Sequence, residues 1–144
     1  MSDAAPLIAI TEEAIAVLID RFYTAIRRDP VLGPVFETAI AEDAWPKHLA
    51  TMRNFWSSVM LTSGRYSGNP VSVHRAVQSL ERPMFARWLA LFEATATDLF
   101  APDQAALFAD KANRIATSLQ LAIFHRLGAP PDGLAPRPAP QNRA

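Results

Sequence analysis

The side chains best suited to chemistry in this sequence are three histidines, His48, His74 and His125. No two of them lie three or four residues apart and none belongs to an HExxH pattern, so a zinc site on a single helix is not expected. The acidic residues are scattered, without the Glu-x-x-His pairs that bind di-iron in helical bundles. Cysteine is absent, which excludes thiolate metal sites, Fe–S clusters and disulfides. The GxGxxG, Walker and GxSxG motifs of nucleotide-binding proteins and serine hydrolases are absent as well.

Two of these histidines fall on successive predicted helices. His48 lies near the start of one helix and His74 lies inside the next, and both have apolar neighbours. This arrangement suits a haem, whose iron needs a neutral imidazole and whose flat faces need apolar walls. Each histidine also has a simpler explanation, His74 as a hydrogen-bonded core or surface side chain and His48 as an exposed residue at a helix start. His125 falls in the last turn of the final predicted helix, where a cation favours the dipole, and we assign it no chemistry.

Helix signals occupy the first half of the chain. A threonine and two glutamates at 11–13 begin a helix, because a hydroxyl caps free N–H groups and carboxylates favour the positive end of the dipole. Apolar residues then recur every three or four positions until an Asp-Pro pair ends the helix at residue 28. The segment 30–45 contains prolines and a glycine, which predicts short helical turns. Pro46 opens a longer helix that ends near residue 62.

Similar signals continue through the second half. An Asn-Pro pair at 69–70 reads as a cap and first-turn proline for a short helix that ends at about Leu80. Pro83 opens a strongly apolar helix that continues to about residue 100. A last helix is predicted over 103–127, where Gly128 ends it.

These elements predict an all-α fold in a single domain. No β-alternation of useful length and no internal repeat is present. We expect the folded domain to cover 11–128, after an N-terminal extension over 1–10. The segment 129–144 is rich in proline and poor in large apolar residues, so burial cannot offset the entropy of ordering it. We expect this tail to be disordered.

Charge and hydropathy limit the partners of the chain. The 14 acidic and 14 basic residues cancel and are mixed along the sequence, which argues against binding to nucleic acid. No apolar run reaches the roughly 18 to 20 residues of a membrane span. The first residues are acidic and lack the basic region of a signal peptide. We therefore expect a cytoplasmic protein with no membrane partner, acting as a monomer.

Several blocks of the sequence resemble the group III truncated haemoglobins. The blocks are FYTAIRRDPVLGPVFE, WPKHLATMRNFWSSVMLTSGRYSGNPVSVH, FARWLALFEAT and LFADKANRIATSLQLAIF, and the likeness covers about residues 11 to 127. The WP-x-HL, SGRY-x-GNP-x-x-x-H and RWL-x-LF motifs are specific in combination, although none is specific alone. The resemblance implies a truncated globin fold, in which a two-over-two helical sandwich encloses haem b.

The resemblance also implies roles for individual residues. His74 matches the proximal iron ligand of the family, and His48 matches the histidine at the entrance to the distal pocket. Tyr23 and Trp88 match the distal tyrosine and tryptophan. Phe36 matches the phenylalanine that stacks on the haem. Taken alone, both residues are better explained by ordinary packing, Tyr23 at the edge of the core with its hydroxyl in water and Trp88 as a core residue.

Three further residues complete the expected site. Met52, one turn after His48, matches a distal apolar position that a branched aliphatic often fills. Arg65 and Tyr66 lie in the loop before His74 and can pair with haem propionates, since a guanidinium holds carboxylates bidentately. Alternatively, Arg65 is an ordinary solvated charge in this loop and Tyr66 is its neighbour, with no binding role for either.

The function expected from this resemblance is reversible binding of dioxygen, and of nitric oxide, carbon monoxide or cyanide, at the haem iron. Redox chemistry such as nitric oxide dioxygenation or peroxide consumption stays open, and so does an unidentified reductase partner. The alternative from another class is a cofactor-free helical bundle that acts as an interaction module. An intense Soret band in the haem-supplied protein distinguishes the two.

Overall fold

The computed structural model describes residues 5–77 and 79–124. These residues form six α-helices and one short 3-10 helix. The α-helices are α1 (Glu12–Arg28), α2 (Leu32–Ala39), α3 (Trp45–Leu61), α4 (Pro70–Arg75), α5 (Arg82–Leu99) and α6 (Pro102–Phe124). The 3-10 helix, Glu42–Ala44, lies between α2 and α3. The prediction of an all-α fold is confirmed. His125, the expected end of the last helix near residue 127 and the tail at 129–144 lie outside the described residues.

The first helix has the bounds that its sequence signals predict. The Thr11 hydroxyl accepts a hydrogen bond from the Ala14 N–H at 3.0 Å, which caps the helix. Arg27 and Arg28 lie in the last turn, where cations favour the dipole. One face of the helix is fully buried and carries Ile15, Leu18, Ile19, Phe22 and Ile26. Burial of this face holds α1 in the core.

Two layers of helices enclose the main apolar core. Helix α1 packs on α2, α3 and α5, whereas α5 packs on α6. The fully buried rings of Phe22, Phe92 and Phe108 lie at the centre, and Trp56 stacks on Phe92 with ring centroids 4.8 Å apart. The pairing of α1 and α3 with α5 and α6 forms a two-over-two helical sandwich.

The corner between α1 and α2 is held by Asp29. One of its carboxylate oxygens accepts hydrogen bonds from the Val31 N–H at 3.0 Å, from the Leu32 N–H at 2.8 Å and from the Arg87 Nε at 2.7 Å. The next residue in this corner, Gly33, is packed closely, because an added Cβ would lie 2.8 Å from the Arg27 carbonyl oxygen. Asp29 therefore caps the start of α2 and ties the corner to α5.

The short helix α4 begins as predicted and ends early. Asn69 caps it, since its side-chain oxygen accepts the Ser72 N–H at 3.1 Å. The helix was expected to continue to about Leu80 but its last residue is Arg75. Beyond this point the Val77 N–H donates to the His74 carbonyl at 3.0 Å, a tighter turn that redirects the chain towards α5.

The segment before α1 contacts the helical domain through Leu7. Its N–H donates to the Leu99 carbonyl at 2.8 Å, and its carbonyl accepts the Ala101 N–H at 2.9 Å. The Leu7 side chain is half-buried against the main core. The predicted N-terminal extension is therefore joined to the turn between α5 and α6. Among the helices of the described residues, none is long and apolar enough to cross a lipid bilayer.

Candidate functional site

His74 is oriented by the helix on which it lies. Its Nδ1 is 2.7 Å from the carbonyl oxygen of Pro70, one turn earlier. A carbonyl only accepts, so Nδ1 carries the proton and donates it. This leaves the Nε2 lone pair of the neutral imidazole free, which is the form that binds a metal. The sequence prediction of a metal ligand here is compatible with this tautomer.

A second, smaller apolar cluster lies beside α4 and is separate from the main core. Its buried members are Phe85, Ala116 and Leu119. Half-buried side chains from α4, α5 and α6 and from the turn between α4 and α5 pack against it, among them Val71, Leu80, Leu89, Ile115 and Ile123. Helix α4 packs on α6 at this cluster. His74 therefore lies on a helix that packs on α6, whereas α1 packs on α2, α3 and α5.

Helices α1, α2 and α3 bring three predicted site residues together. The Tyr23 ring makes edge contacts with His48 at 5.2 Å and with Phe36 at 6.0 Å between centroids. Tyr23 is only 5% exposed, and burial raises its pKa well above the ordinary value. The hydroxyl therefore stays protonated at physiological pH and can act as a hydrogen-bond donor.

The His48 imidazole is half-buried on α3. Its Nε2 is fully buried and has no hydrogen-bond partner among the described residues. Burial lowers the pKa of His48, and repulsion from the His74 ring, when that ring is protonated, lowers it further. His48 is thus held in its neutral form. Burying a ring nitrogen without a hydrogen-bond partner costs free energy, so a polar group is needed beside His48 Nε2.

Trp88 and Met52 both pack on the main core. Trp88 on α5 is half-buried, makes an edge contact with Phe22 at 5.5 Å and stacks on Phe92. Phe22 in turn contacts Tyr23 at 5.0 Å, so Trp88 is linked to Tyr23 through one ring. Met52 on α3 is half-buried. The roles of Trp88 and Met52 beside a bound ligand stay predictions.

Arg65 and Tyr66 lie apart from the distal group, in the connection between α3 and α4. The Arg65 guanidinium pairs with Glu12 at 3.2 Å. Glu12 also accepts a hydrogen bond at 2.7 Å from Ser57, which is fully buried. The Tyr66 ring packs edge-on against Phe55 at 5.1 Å. These contacts tie the loop to the start of α1, and a propionate role for Arg65 and Tyr66 stays a prediction.

Sequence reasoning missed Trp45 and Arg27. Trp45 is 3% exposed and contacts the rings of both His48 and Tyr23, at 5.4 and 6.0 Å. Its indole N–H is buried without a partner among the described residues. Arg27 lies over the outer face of this indole. The signal was in the WP-x-HL motif, in which the tryptophan lies three residues before His48, almost one helical turn.

The residues present fit a haem on two observations. His74 Nδ1 donates to the Pro70 carbonyl, so the neutral imidazole has an unprotonated Nε2, and α4, which carries it, packs beside the second apolar cluster. Near α1, two buried polar atoms, Trp45 Nε1 and His48 Nε2, have no hydrogen-bond partner among the described residues, and the rings of both side chains contact the Tyr23 ring. Haem is a flat apolar cofactor, so it needs apolar surroundings with an imidazole for its iron and, in addition, polar groups that can face a polar diatomic ligand.

Comparisons with known proteins agree with the resemblance read from the sequence. No protein-family model matches the chain. A curated protein, the group 3 truncated hemoglobin of Campylobacter jejuni, is 32% identical over 117 residues, which are 80% of this chain and 92% of the relative. A crystal structure of the group III truncated hemoglobin from Campylobacter jejuni matches with a TM-score of 0.79 at 30% identity. That match covers 83% of this chain and 96% of the solved one. The chain therefore belongs to the group III truncated haemoglobins.

Proposed function

We propose that this protein binds haem b through His74 and reversibly binds dioxygen and other small diatomic molecules on the opposite side. The observation that carries the proposal is the hydrogen bond from His74 Nδ1 to the Pro70 carbonyl, which leaves Nε2 free. Membership of the family implies haem and small gaseous ligands. Bound haem would supply an iron centre that can bind such ligands.

The side chains of this protein orient the iron ligand and donate hydrogen bonds to the diatomic molecule. The Pro70 carbonyl accepts the His74 Nδ1 proton and so orients the ring. The Tyr23 hydroxyl, kept protonated by burial, is a donor to a ligand that carries negative charge. We place the Trp88 indole N–H beside it as a second donor. Both lie in helix interiors, where packing holds them and reduces the entropy lost per hydrogen bond.

His48 has a different role because it lies near the start of α3. We propose that its ring swings at the entrance and gates ligand access, whereas Met52 shapes the apolar wall behind it. Two donors around one ligand would slow its release, since each charge-assisted hydrogen bond contributes roughly 1.5–3 kcal/mol. Slow release favours sensing, storage or redox use, such as nitric oxide dioxygenation or peroxide consumption, over oxygen delivery.

An absorption spectrum of the purified protein supplied with haem tests this function. We expect an intense Soret band, and His74→Ala should lose most haem or its imidazole ligation, with partial rescue by added imidazole. His48→Ala is the matched control and should retain haem. Absence of a Soret band in the parent would favour a cofactor-free helical bundle. Loss of haem from His48→Ala, with an unchanged ferrous spectrum in His74→Ala, would reverse the two roles.

A further inference from the structure

Trp45 connects the candidate ligand pocket to the protein surface. It is the first residue of α3, and its buried indole meets the His48 ring edge-on, with centroids 5.4 Å apart and planes at 83°. The same indole contacts Tyr23 at 6.0 Å. Two of the side chains that we place around the ligand therefore rest against one residue to which the proposed function gives no role.

The charged side chain of Arg27 lies over the ring of Trp45. The Arg27 guanidinium carbon is 4.3 Å from the centre of the indole, within the range of a cation–π contact. The same guanidinium donates to Glu37 at 2.9 Å and to Glu42 at 2.8 Å. A planar guanidinium can stack and form ion pairs at the same time, which an ammonium group cannot do. Arg27, Glu37 and Glu42 are called the latch below.

The latch joins three separate elements over one ring. Arg27 lies in the last turn of α1, Glu37 on α2 and Glu42 in the 3-10 helix immediately before Trp45. Glu42 directly precedes the turn into α3, so its ion pair restrains the start of the helix that carries His48. The His48 ring packs against Trp45, so a shift of Trp45 or of the start of α3 changes the space around His48, and the latch opposes both shifts.

We propose that Trp45 is a positioning residue for His48 and Tyr23, and that the latch sets how readily diatomic ligands enter past His48. The part about ligand entry rests on the proposed function, whereas the restraint on His48 does not need haem. The latch is at the surface, with 79% of the Glu42 side chain and 33% of the Arg27 side chain exposed. Salt weakens exposed ion pairs, so ligand entry should quicken as ionic strength rises.

The restraint is tested by chemical modification of His48 in the intact 144-residue chain. Diethyl pyrocarbonate is added at constant pH, and the rate of His48 modification is followed by peptide mass spectrometry, with His74 monitored alongside to detect general loosening. We expect Arg27→Met to raise the His48 rate at least threefold over the parent without an equal rise at His74, and Arg27→Lys to restore the parent rate in part. Arg28→Met removes a neighbouring charge outside the latch and should match the parent.

Ligand entry is tested by flash photolysis of the carbon monoxide complex at low and high salt. We expect the association rate constant of the parent to rise at least twofold between about 0.05 M and about 1 M salt, because the distance over which exposed charges interact shortens over this range. Arg27→Met should start at the high value and respond little. Trp45→Leu should also give fast entry at either salt concentration.

Three results would overturn the proposal. One is a His48 modification rate in Arg27→Met within about 1.5-fold of the parent. Another is an equal rise at His48 and His74, since this indicates general loosening. The third is a salt response in Arg27→Met equal to that of the parent. If no haem binds, the proposed function fails, but the modification rates still decide whether the latch restrains His48.

Discussion

Replacing Asp29 by asparagine tests how the corner between α1 and α2 is held. One oxygen of this carboxylate accepts three hydrogen bonds, from Arg87, Val31 and Leu32. Only 7% of the Asp29 side chain is exposed. The hydrogen bond from Arg87 and those from the two backbone N–H groups outweigh desolvation and lower the pKa of Asp29 from 3.8 to about 2. Asparagine keeps the size and the capping ability of aspartate but loses its charge.

The expected loss of stability follows from this pKa. A change from 3.8 to about 2 corresponds to about 2.4 kcal/mol. Arg87 is 42% exposed, and solvent screening reduces the contribution to about 1–2 kcal/mol. The folded-state pKa lies below the unfolded one, so this stabilisation is fully present above the unfolded value near 4. It is lost progressively as the pH falls from 4 towards 2.

Denaturant unfolding followed by helical circular dichroism provides the assay. Asp29→Asn should lower the free energy of unfolding by about 1–2 kcal/mol at pH 6, and the difference should shrink at pH 3. Asp98→Asn is a matched control, because its carboxylate is 73% exposed and its pair with Arg21 is 3.5 Å long. The control should stay within about 0.5 kcal/mol of the parent. A deficit of equal size at pH 3 and pH 6 would show that charge has no part in the effect.

Three other expectations concern ligand release, packing and the tail. Tyr23→Phe and Trp88→Phe should each speed dioxygen dissociation tenfold or more, as about 1.4 kcal/mol per lost hydrogen bond requires, and His48→Leu should mainly change entry. Stopped-flow rates within twofold of the parent for both ring variants would refute the donor roles. Gly33→Ala should lower stability by about 1–3 kcal/mol, because its Cβ would approach a backbone oxygen; a parent-like melting temperature would show that this corner can shift. Deletion of residues 131–144 should leave the melting temperature and the spectrum unchanged, and a clear loss would mean that the tail packs on the domain.

The local part of this fold could be predicted from the sequence because its signals act over one or two turns. The Thr11 cap and the Asp-Pro stop fix both ends of α1, and the Asn69 cap fixes the start of α4. The sequence places the end of α4 too late, because no clear stop signal follows Arg75. Tertiary packing decides this end, since Leu80 packs onto the cluster beside α4.

Contacts between distant residues could not be predicted in the same way. The grouping of Tyr23, Phe36 and His48 came from family resemblance, and the structure places their rings in contact. Nothing in the local pattern of Glu12 or Ser57 indicates that they pair across 45 residues of sequence. Such a pair depends on the crossing of α1 and α3, which is a property of the whole fold.

The pairing of Leu7 with the turn after α5 bears on the order in which the chain folds. The two backbone hydrogen bonds of Leu7, to Leu99 and from Ala101, are called the clasp below. Helical hydrogen bonds span four residues and form quickly, whereas the clasp closes a loop that contains α1 to α5. The entropy of closing so long a loop places the clasp late in folding and among the first contacts to open. The Ala101 amide, which donates to the Leu7 carbonyl, should therefore exchange with deuterium through local opening of the clasp, well before the core amides of α5 and α6. The kinetics of this one amide would report on detachment of the N-terminal segment without unfolding of the sandwich.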